Sequence, residues 1–407
     1  MISLESAKDI LFDEIERLGL CLKEVETVPL WEVGGRVLAE NIVAGENVPA
    51  FDRSPIDGYA LRASDTLNAT ADSPVSFEII DTVAAGSSST KKLSPKTAVK
   101  IFTGAPMPKG ADSLIRLEEA VESDSELLVK RTVEMGENVA LKGEDITAGE
   151  FLLSEGTILR VVHMAILATL GFEFVPVYRK PEVGVFSTGN ELVEIHSKLQ
   201  HGQLRVSNIY TLAEIVRQAG GIPVNLGVVK DRVEDVVKVY EKAHELKLPV
   251  VISTGGTASG DYDIIKDAMD VASTTRLFNK VAVRPGAPVV ASVKPGQLLI
   301  GLSGNPAGAA VTMLVIIFPV ISKLVGIDRE LERSQGKLLK PIFHKGGLRK
   351  FLWADFYEEN GCLYVTPYEN QFCGAIKTQA RSNCLIETPG GEIKIEAGRL
   401  VDILKLP

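Results

Sequence analysis

Leu4, Ala7, Ile10, Leu11, Ile15 and Leu18 recur at helical spacing ahead of Gly19, so the pattern predicts an opening amphipathic helix over 4–18. From about Val25 to Gly156 the periodicity gives way to short β-branched runs between turns. Val75 to Val83, Ala98 to Phe102 and Leu127 to Val133 are the clearest, and they predict small β-rich units. A second helical patch, Val161 to Leu170, closes this half. After Pro181 continuously apolar strands alternate with helices. Strands are expected at Val183–Phe186, Val224–Val229, Val250–Ile252 and Leu298–Leu302, and helices at Tyr210–Gln218, Arg232–Leu246, Ile264–Val271 and beyond Asn305. Apolar strands separated by helices imply a parallel sheet covered on both faces. From about residue 330 short strands and turns return (Cys362 to Thr366, Glu392 to Glu396, Val401 to Leu404), which predicts a compact β domain. The fold class is therefore multidomain: a central parallel α/β domain with β-rich domains on both sides and a helical segment.

Composition adjusts this picture only at the margins. The chain has 407 residues, 45% hydrophobic and 24% charged, enough apolar material for several cores without a metal or disulfide staple. A formal net charge of −9, with no block of Lys or Arg, argues against nucleic acid or an anionic membrane as the main partner. Cys21, Cys362, Cys373 and Cys384 form no close pair, and reduced thiols in a β-rich segment are the expected reading. The acidic N-terminus does not resemble a signal peptide, and the apolar stretch Ala309–Leu324 falls short of a membrane span, so a cytoplasmic protein is expected.

The candidate chemistry sits in turns. Ser253-Thr254-Gly255-Gly256-Thr257-Ala258-Ser259-Gly260-Asp261-Tyr262-Asp263 follows a buried strand and precedes a helix. That turn belongs to the carboxyl edge of a parallel sheet, where ligands bind and glycines let the backbone approach a phosphate. The segment is neither a Walker A loop nor a dinucleotide fingerprint, and a tight turn with Asp263 capping the helix is the plain alternative. Ser187-Thr188-Gly189-Asn190-Glu191 and Gly301-Leu302-Ser303-Gly304-Asn305-Pro306 are two further turns of this kind, the second placing Asn305 at N-cap and Pro306 at N1. Three such turns from one sheet would converge on one rim. Lys280 and Arg284, four apart, would share a face of an extended strand and could clamp an oxyanion, or could form a solvated face. Asp231, with Glu234 three positions on, has the look of a capping box. In the N-terminal half, Phe51-Asp52-Arg53-Ser54-Pro55-Ile56-Asp57-Gly58-Tyr59-Ala60, Phe102-Thr103-Gly104-Ala105-Pro106 and Gly143-Glu144-Asp145-Ile146 hold polar groups in constrained turns.

In order along nearly the whole chain, these segments resemble the molybdopterin molybdotransferase family, known from MoeA and the gephyrin E domain. The matching blocks run from 49–60 through 103–106, 143–145, 187–192, Ser207-Asn208 and 255–263 to 301–306. The resemblance implies four parts: a helical domain I (1–24 and 141–179), a β-rich domain II (25–140), a molybdopterin-binding α/β domain III (180–326) and a β domain IV (327–407). It implies a homodimer with the site between domain III of one subunit and domain II of the other, and contact with other cofactor-synthesis proteins. The implied reaction consumes adenylylated molybdopterin and molybdate, releases AMP, and uses Mg²⁺, with Zn²⁺ as the alternative ion. By position, Asp57, Thr103, Asp145, Glu191 and Asp263 look like the family's catalytic residues, with Glu191 and Asp263 as metal ligands. Ser187, Thr188, Gly189, Ser207, Asn208, Asp231, Gly255, Gly256, Gly260, Lys280, Arg284, Ser303, Gly304, Asn305 and Pro306 look like substrate contacts. The chain departs from the family where Pro285-Gly286-Ala287-Pro288 replaces Pro-Gly-Lys-Pro, where Arg284 replaces a frequent lysine, and where Gln371-Phe372-Cys373-Gly374 replaces Gln-Gly-Ser-Gly. A diverged paralogue, or a member handling a different metal oxyanion, is the alternative those departures leave, and a pterin-binding scaffold is a separate rival. A molybdopterin adenylyltransferase shares the α/β domain but is usually that domain alone.

Overall fold

The computed structural model describes residues 1–21, 24–257, 263–372 and 374–407, with Ile393 described in its backbone only. The chain divides into two compact units: Met1–Val28, Gly35–Ala39 and Pro176–Pro407 form one, and Pro29–Gly34 with Glu40–Val175 form the other.

In the second unit the described strands β1 (Gly58–Leu61), β2 (Val75–Val83), β3 (Thr97–Ile101), β4 (Ser113–Arg116), β5 (Ala120–Ser123) and β6 (Glu126–Val129) form one sheet in the order β4-β1-β3-β2-β6-β5. Its two faces bury separate clusters, one around Tyr59, Phe77 and Leu127, the other around Ala60, Val99 and Leu114. Alternation along β1 and β3 assigns each side chain to one cluster or the other. Gly58 opens β1 because no side chain fits there: an added Cβ would lie 2.1 Å from the Ile115 carbonyl oxygen.

In the first unit, α1 (Leu4–Arg17) is capped by Ser3, whose hydroxyl accepts from the Ser6 amide, and it buries Leu4, Ala7, Leu11 and Ile15. Next come β7 (Glu182–Thr188), α3 (Asn208–Gln218), β8 (Ile222–Val229), α4 (Val233–Glu245), β9 (Val250–Thr254) and α5 (Ile264–Val271). Here α2 denotes Val161–Thr169 of the other unit. They are followed by β10 (Thr275–Lys280), β11 (Val283–Arg284), β12 (Pro288–Lys294) and β13 (Gln297–Leu302). The central sheet runs β8-β7-β9-β13-β12-β10. Its first three pairings are parallel, and the apolar stretches Val183–Phe186, Val250–Ile252 and Leu298–Leu302 within β7, β9 and β13 are buried from both sides. The expected parallel sheet thus holds for four strands, while β12 and β10 extend it antiparallel. The tight connection Lys294–Gln297 permits a hairpin, and no crossover helix is available there.

Behind β13 the chain forms one buried helical run: α6 (Pro306–Thr312), a π-turn (Met313–Ile317) and α7 (Phe318–Leu324). The wide turn directly precedes Pro319, which offers no backbone N–H. The C-terminal strands β14 (Arg333–Leu338), β15 (Arg349–Glu359), β16 (Cys362–Pro367), β17 (Cys384–Thr388) and β18 (Leu400–Lys405) close into a barrel through β15–β17 pairing, with the short α8 (Ile376–Gln379) between β16 and β17 in the chain. Phe351, Trp353, Leu385 and Leu404 of this barrel share a core with α1, β7 and the buried helices. Cys384 is inside the barrel, and burial pushes its thiol up to about 12. Cys362 and Cys384 are free thiols, and Cys373 lies outside the described residues.

Candidate active site

The turns after β7, β9 and β13 do converge. Together with the start of α3 they line one cleft of about 610 Å³. Ser187, Thr188, Gly189, Glu191, Ser207, Asn208, Asp231, Gly255, Gly256, Ser303, Gly304 and Pro306 all border it. The glycines are there for backbone reasons. Gly255 has φ +96°, and an added Cβ would lie 2.1 Å from the Thr188 carbonyl oxygen. Gly304 in turn approaches Gly255 closely, its own added Cβ falling 3.1 Å from the Gly255 Cα. Side chains could not separate these turns without opening the cleft floor.

Asn208, 8% exposed, ties the turns together: its Nδ2 donates to Thr254 Oγ1 and to the Gly304 carbonyl, each at 2.9 Å. Asp231 is not the capping box its spacing suggests. The N-cap of α4 is Arg232, without a side-chain cap, and the Asp231 carboxylate instead accepts from Thr188 Oγ1 at 2.6 Å and the Asn190 amide at 3.2 Å. A carboxylate that could have closed a helix therefore holds the β7 turn in place. Glu191 folds back over Gly189, where an added Cβ would come within 2.8 Å of its carboxylate.

Other expected residues lie elsewhere. Asp263 caps α5, accepting from the Lys266 amide at 3.2 Å, and burial raises its pKa against the pull of that bond. It borders residues 258–262, so Gly260 lies outside the described residues. Asn305 occupies the N-cap of α6 but makes no capping bond, and its buried Oδ1 has no partner. Lys280 and Arg284 do not share a strand face. Lys280 ends β10 in the central sheet, whereas Arg284 sits in β11, which pairs with β15 of the C-terminal barrel. The chain switches sheets between them because Val281 and Ala282 hydrogen-bond to residues 287 and 2 instead of continuing β10. Neither cation lines the cleft. Residues outside the expected contact set do: Thr254 and Thr257 beside the glycines, Arg205, Gly374 of the motif that departs from the family, and Ile376. The two threonines could have been read from their motif, whereas nothing local announces Ile376.

In the other unit, Thr103 donates to Asp57 Oδ1 through both its amide and its hydroxyl, at 2.8 Å each. The amide bond, then the hydroxyl, hold the Asp57 carboxyl below its usual range, so it stays ionised. Backbone bonds stitch the neighbouring loops together: Gly104 to Ser54, Arg53 to Ala140 in both directions, and Gly143 to Pro49. Asp145 is exposed in the last of these loops, its amide donating to the Val48 carbonyl.

Comparison with known proteins places this geometry. Residues 2–171 match the MoeA N-terminal region (domain I and II), 184–323 a probable molybdopterin binding domain, and 335–406 the MoeA C-terminal region (domain IV). The molybdopterin molybdenumtransferase of Bacillus subtilis is 36% identical over 94% of this chain and 90% of its own length. The chain belongs to the MoeA family. A second molybdopterin molybdenumtransferase, from Staphylococcus epidermidis, is 34% identical over 91% of this chain and 88% of its own length. The crystal structure of a MoeA protein of molybdopterin biosynthesis from Pyrococcus horikoshii superposes with a TM-score of 0.85 at 29% identity, covering 100% of this chain and 99% of that one. This MoeA-family chain therefore carries the family's architecture from end to end, and its Gly-lined cleft lies within the match to the molybdopterin binding domain.

Proposed function

We propose that the chain is a molybdopterin molybdotransferase that takes adenylylated molybdopterin and molybdate, places molybdenum on the dithiolene and releases AMP. The observation that carries this reading is the convergence of three strand-to-helix turns on one cleft in a chain matched end to end by the family. Residue roles follow from chemistry. Gly255, Gly256 and Gly304 let backbone approach a pyrophosphate-like linkage, Asn208 and Asp231 hold the turns, and Ser187, Thr188, Ser207 and Ser303 offer hydroxyls. Glu191 and Asp263 are the carboxylates we assign to a metal ion. Oxygen donors without His or Cys favour Mg²⁺ over Zn²⁺, and Mg²⁺ needs only one or two protein carboxylates beside phosphate and water. Such an ion, when bound, would neutralise charge on the departing AMP. Asp57, Thr103 and Asp145 form the second half of the site, which we assign to the partner subunit in a homodimer, within a four-domain division at 1–24 with 141–179, 25–140, 180–326 and 327–407.

A surface in need of cover supports the dimer. In α2 Val161 is 84% and Val162 69% exposed, and Trp31 of the same unit is 98% exposed. Apolar residues so displayed mark an association surface. The long apolar helix Pro306–Leu324 is an interior element, and a cytoplasmic location fits the substrates. Asp57→Ala should abolish AMP release while leaving dimer and melting temperature intact; Asp263→Ala should abolish it too, with a loss of about 0.5–2 kcal/mol of stability from the missing α5 cap, and survival of activity in both would sink the residue assignment. Mixing Asp57→Ala with Glu191→Ala protomers should restore turnover that neither shows alone, because mixed dimers then hold one complete site.

A further inference from the structure

The Gly-lined cleft carries negative charge of its own. Glu191 and Asp231 both border it, and Asp231 is already engaged by Thr188 and Asn190. A phosphoanhydride brought there meets repulsion unless a cation answers it. Among the described residues Arg205 is the only Lys or Arg that lines the cleft. Backbone pairing sets its place. The two-residue strands Leu192–Val193 and Leu204–Arg205 run parallel, with Val193 and Arg205 as register partners. The Leu204 amide donates to the Glu191 carbonyl, and the Val206 amide to the Val193 carbonyl, each at 2.9 Å. These bonds close the loop 191–206 at its base and bring Arg205 to the part of the cleft wall that holds Glu191. The two opposite charges nevertheless do not pair, and among the described residues neither has any ion pair. The guanidinium makes one hydrogen bond there, from Nη2 to the Ser197 carbonyl at 3.0 Å. That bond steadies the side chain against its own loop and leaves Nε and Nη1 without a described protein partner. A planar fork with free donors is the group that grips two oxygens of a phosphate.

We infer that Arg205 is the side chain that binds the phosphoanhydride of the substrate, working with the backbone of the Gly255-Gly256 and Gly304 turns. This rests on the transferase reading, with adenylylated molybdopterin as the ligand. The test uses the full-length protein and the variants Arg205→Met and Arg205→Lys, with adenylylated molybdopterin as the probe in direct binding and in turnover. A contact made equally to the substrate and to the transition state sets KM and leaves kcat alone. Arg205→Met should therefore raise the Kd and KM for adenylylated molybdopterin about tenfold or more, with kcat changed by no more than about twofold. The molybdate KM should not move. Arg205→Lys should recover part of the loss, because a point charge keeps the attraction without the fork. Added salt should weaken binding more in the wild type than in Arg205→Met. Both variants should melt with the wild type, since Arg205 is exposed and its one bond is to a loop carbonyl. An unchanged Kd in Arg205→Met overturns the assignment. So does a weakened Kd that lysine does not rescue and whose salt dependence matches that of the wild type. Binding that depends on Arg205 without molybdate-dependent AMP release would instead overturn the transferase reading alone.

Discussion

Individual side chains here do two kinds of work. Asn208 spends both amide protons on holding turns together, one to Thr254 and one to Gly304. Asn208→Leu leaves those acceptors buried and unanswered, at about 1–3 kcal/mol for the group, so chemical denaturation should show a clear loss of stability and pterin affinity should fall with it. Asp231→Asn is subtler: it keeps the volume but weakens a carboxylate that accepts from Thr188 and Asn190, and should raise the KM for the pterin with little change in melting temperature. His344 gives a pH signature. Burial and the charges of Lys350 and Arg284 hold its folded pKa below the ordinary 6.5. The unfolded chain therefore takes up the proton first as pH falls. Its contribution to stability is complete above the unfolded value and is lost as pH drops through it towards the folded value. The melting temperature should decline from about pH 7.5 to about pH 5.5, and His344→Gln should flatten part of that decline.

Elements were legible where their signal is local. The run Val75–Val83 is a strand over just those residues, the helix predicted at 264–271 is α5, and the opening helix differs from expectation by one residue. Each bears a periodicity or cap that its own residues carry. The errors occurred where partners decide. Lys280 and Arg284 read as one strand because the four-residue spacing is all that sequence offers, and the sheet switch depends on hydrogen bonds to residues far away. Asp231 read as a cap because its competing partners, Thr188 and Asn190, lie some forty positions earlier. The glycine-rich turns after β7, β9 and β13 do border one cleft, whereas Ile376 has no local signal and is found only in three dimensions. Close backbone approach makes a further prediction at this scale. An added Cβ on Gly286 would lie 2.5 Å from Thr312 Cγ2 and 2.6 Å from the Gly308 carbonyl, at φ +98°. Gly286→Ala should therefore push β12 and α6 apart and destabilise the protein by more than about 1 kcal/mol, measured by urea unfolding.

For the whole molecule, the matches at 2–171, 184–323 and 335–406 and the end-to-end superposition place the chain in its family. The Gly-lined cleft collects turns from β7, β9 and β13 together with the start of α3, so one rim gathers residues far apart in the chain. The most direct test is AMP release from adenylylated molybdopterin in the presence of Mg²⁺, with and without micromolar molybdate. Release that depends on molybdate and yields active molybdenum cofactor is the predicted result. Tight binding of the adenylylated pterin with no molybdate-dependent release, or no binding at all, would contradict the account.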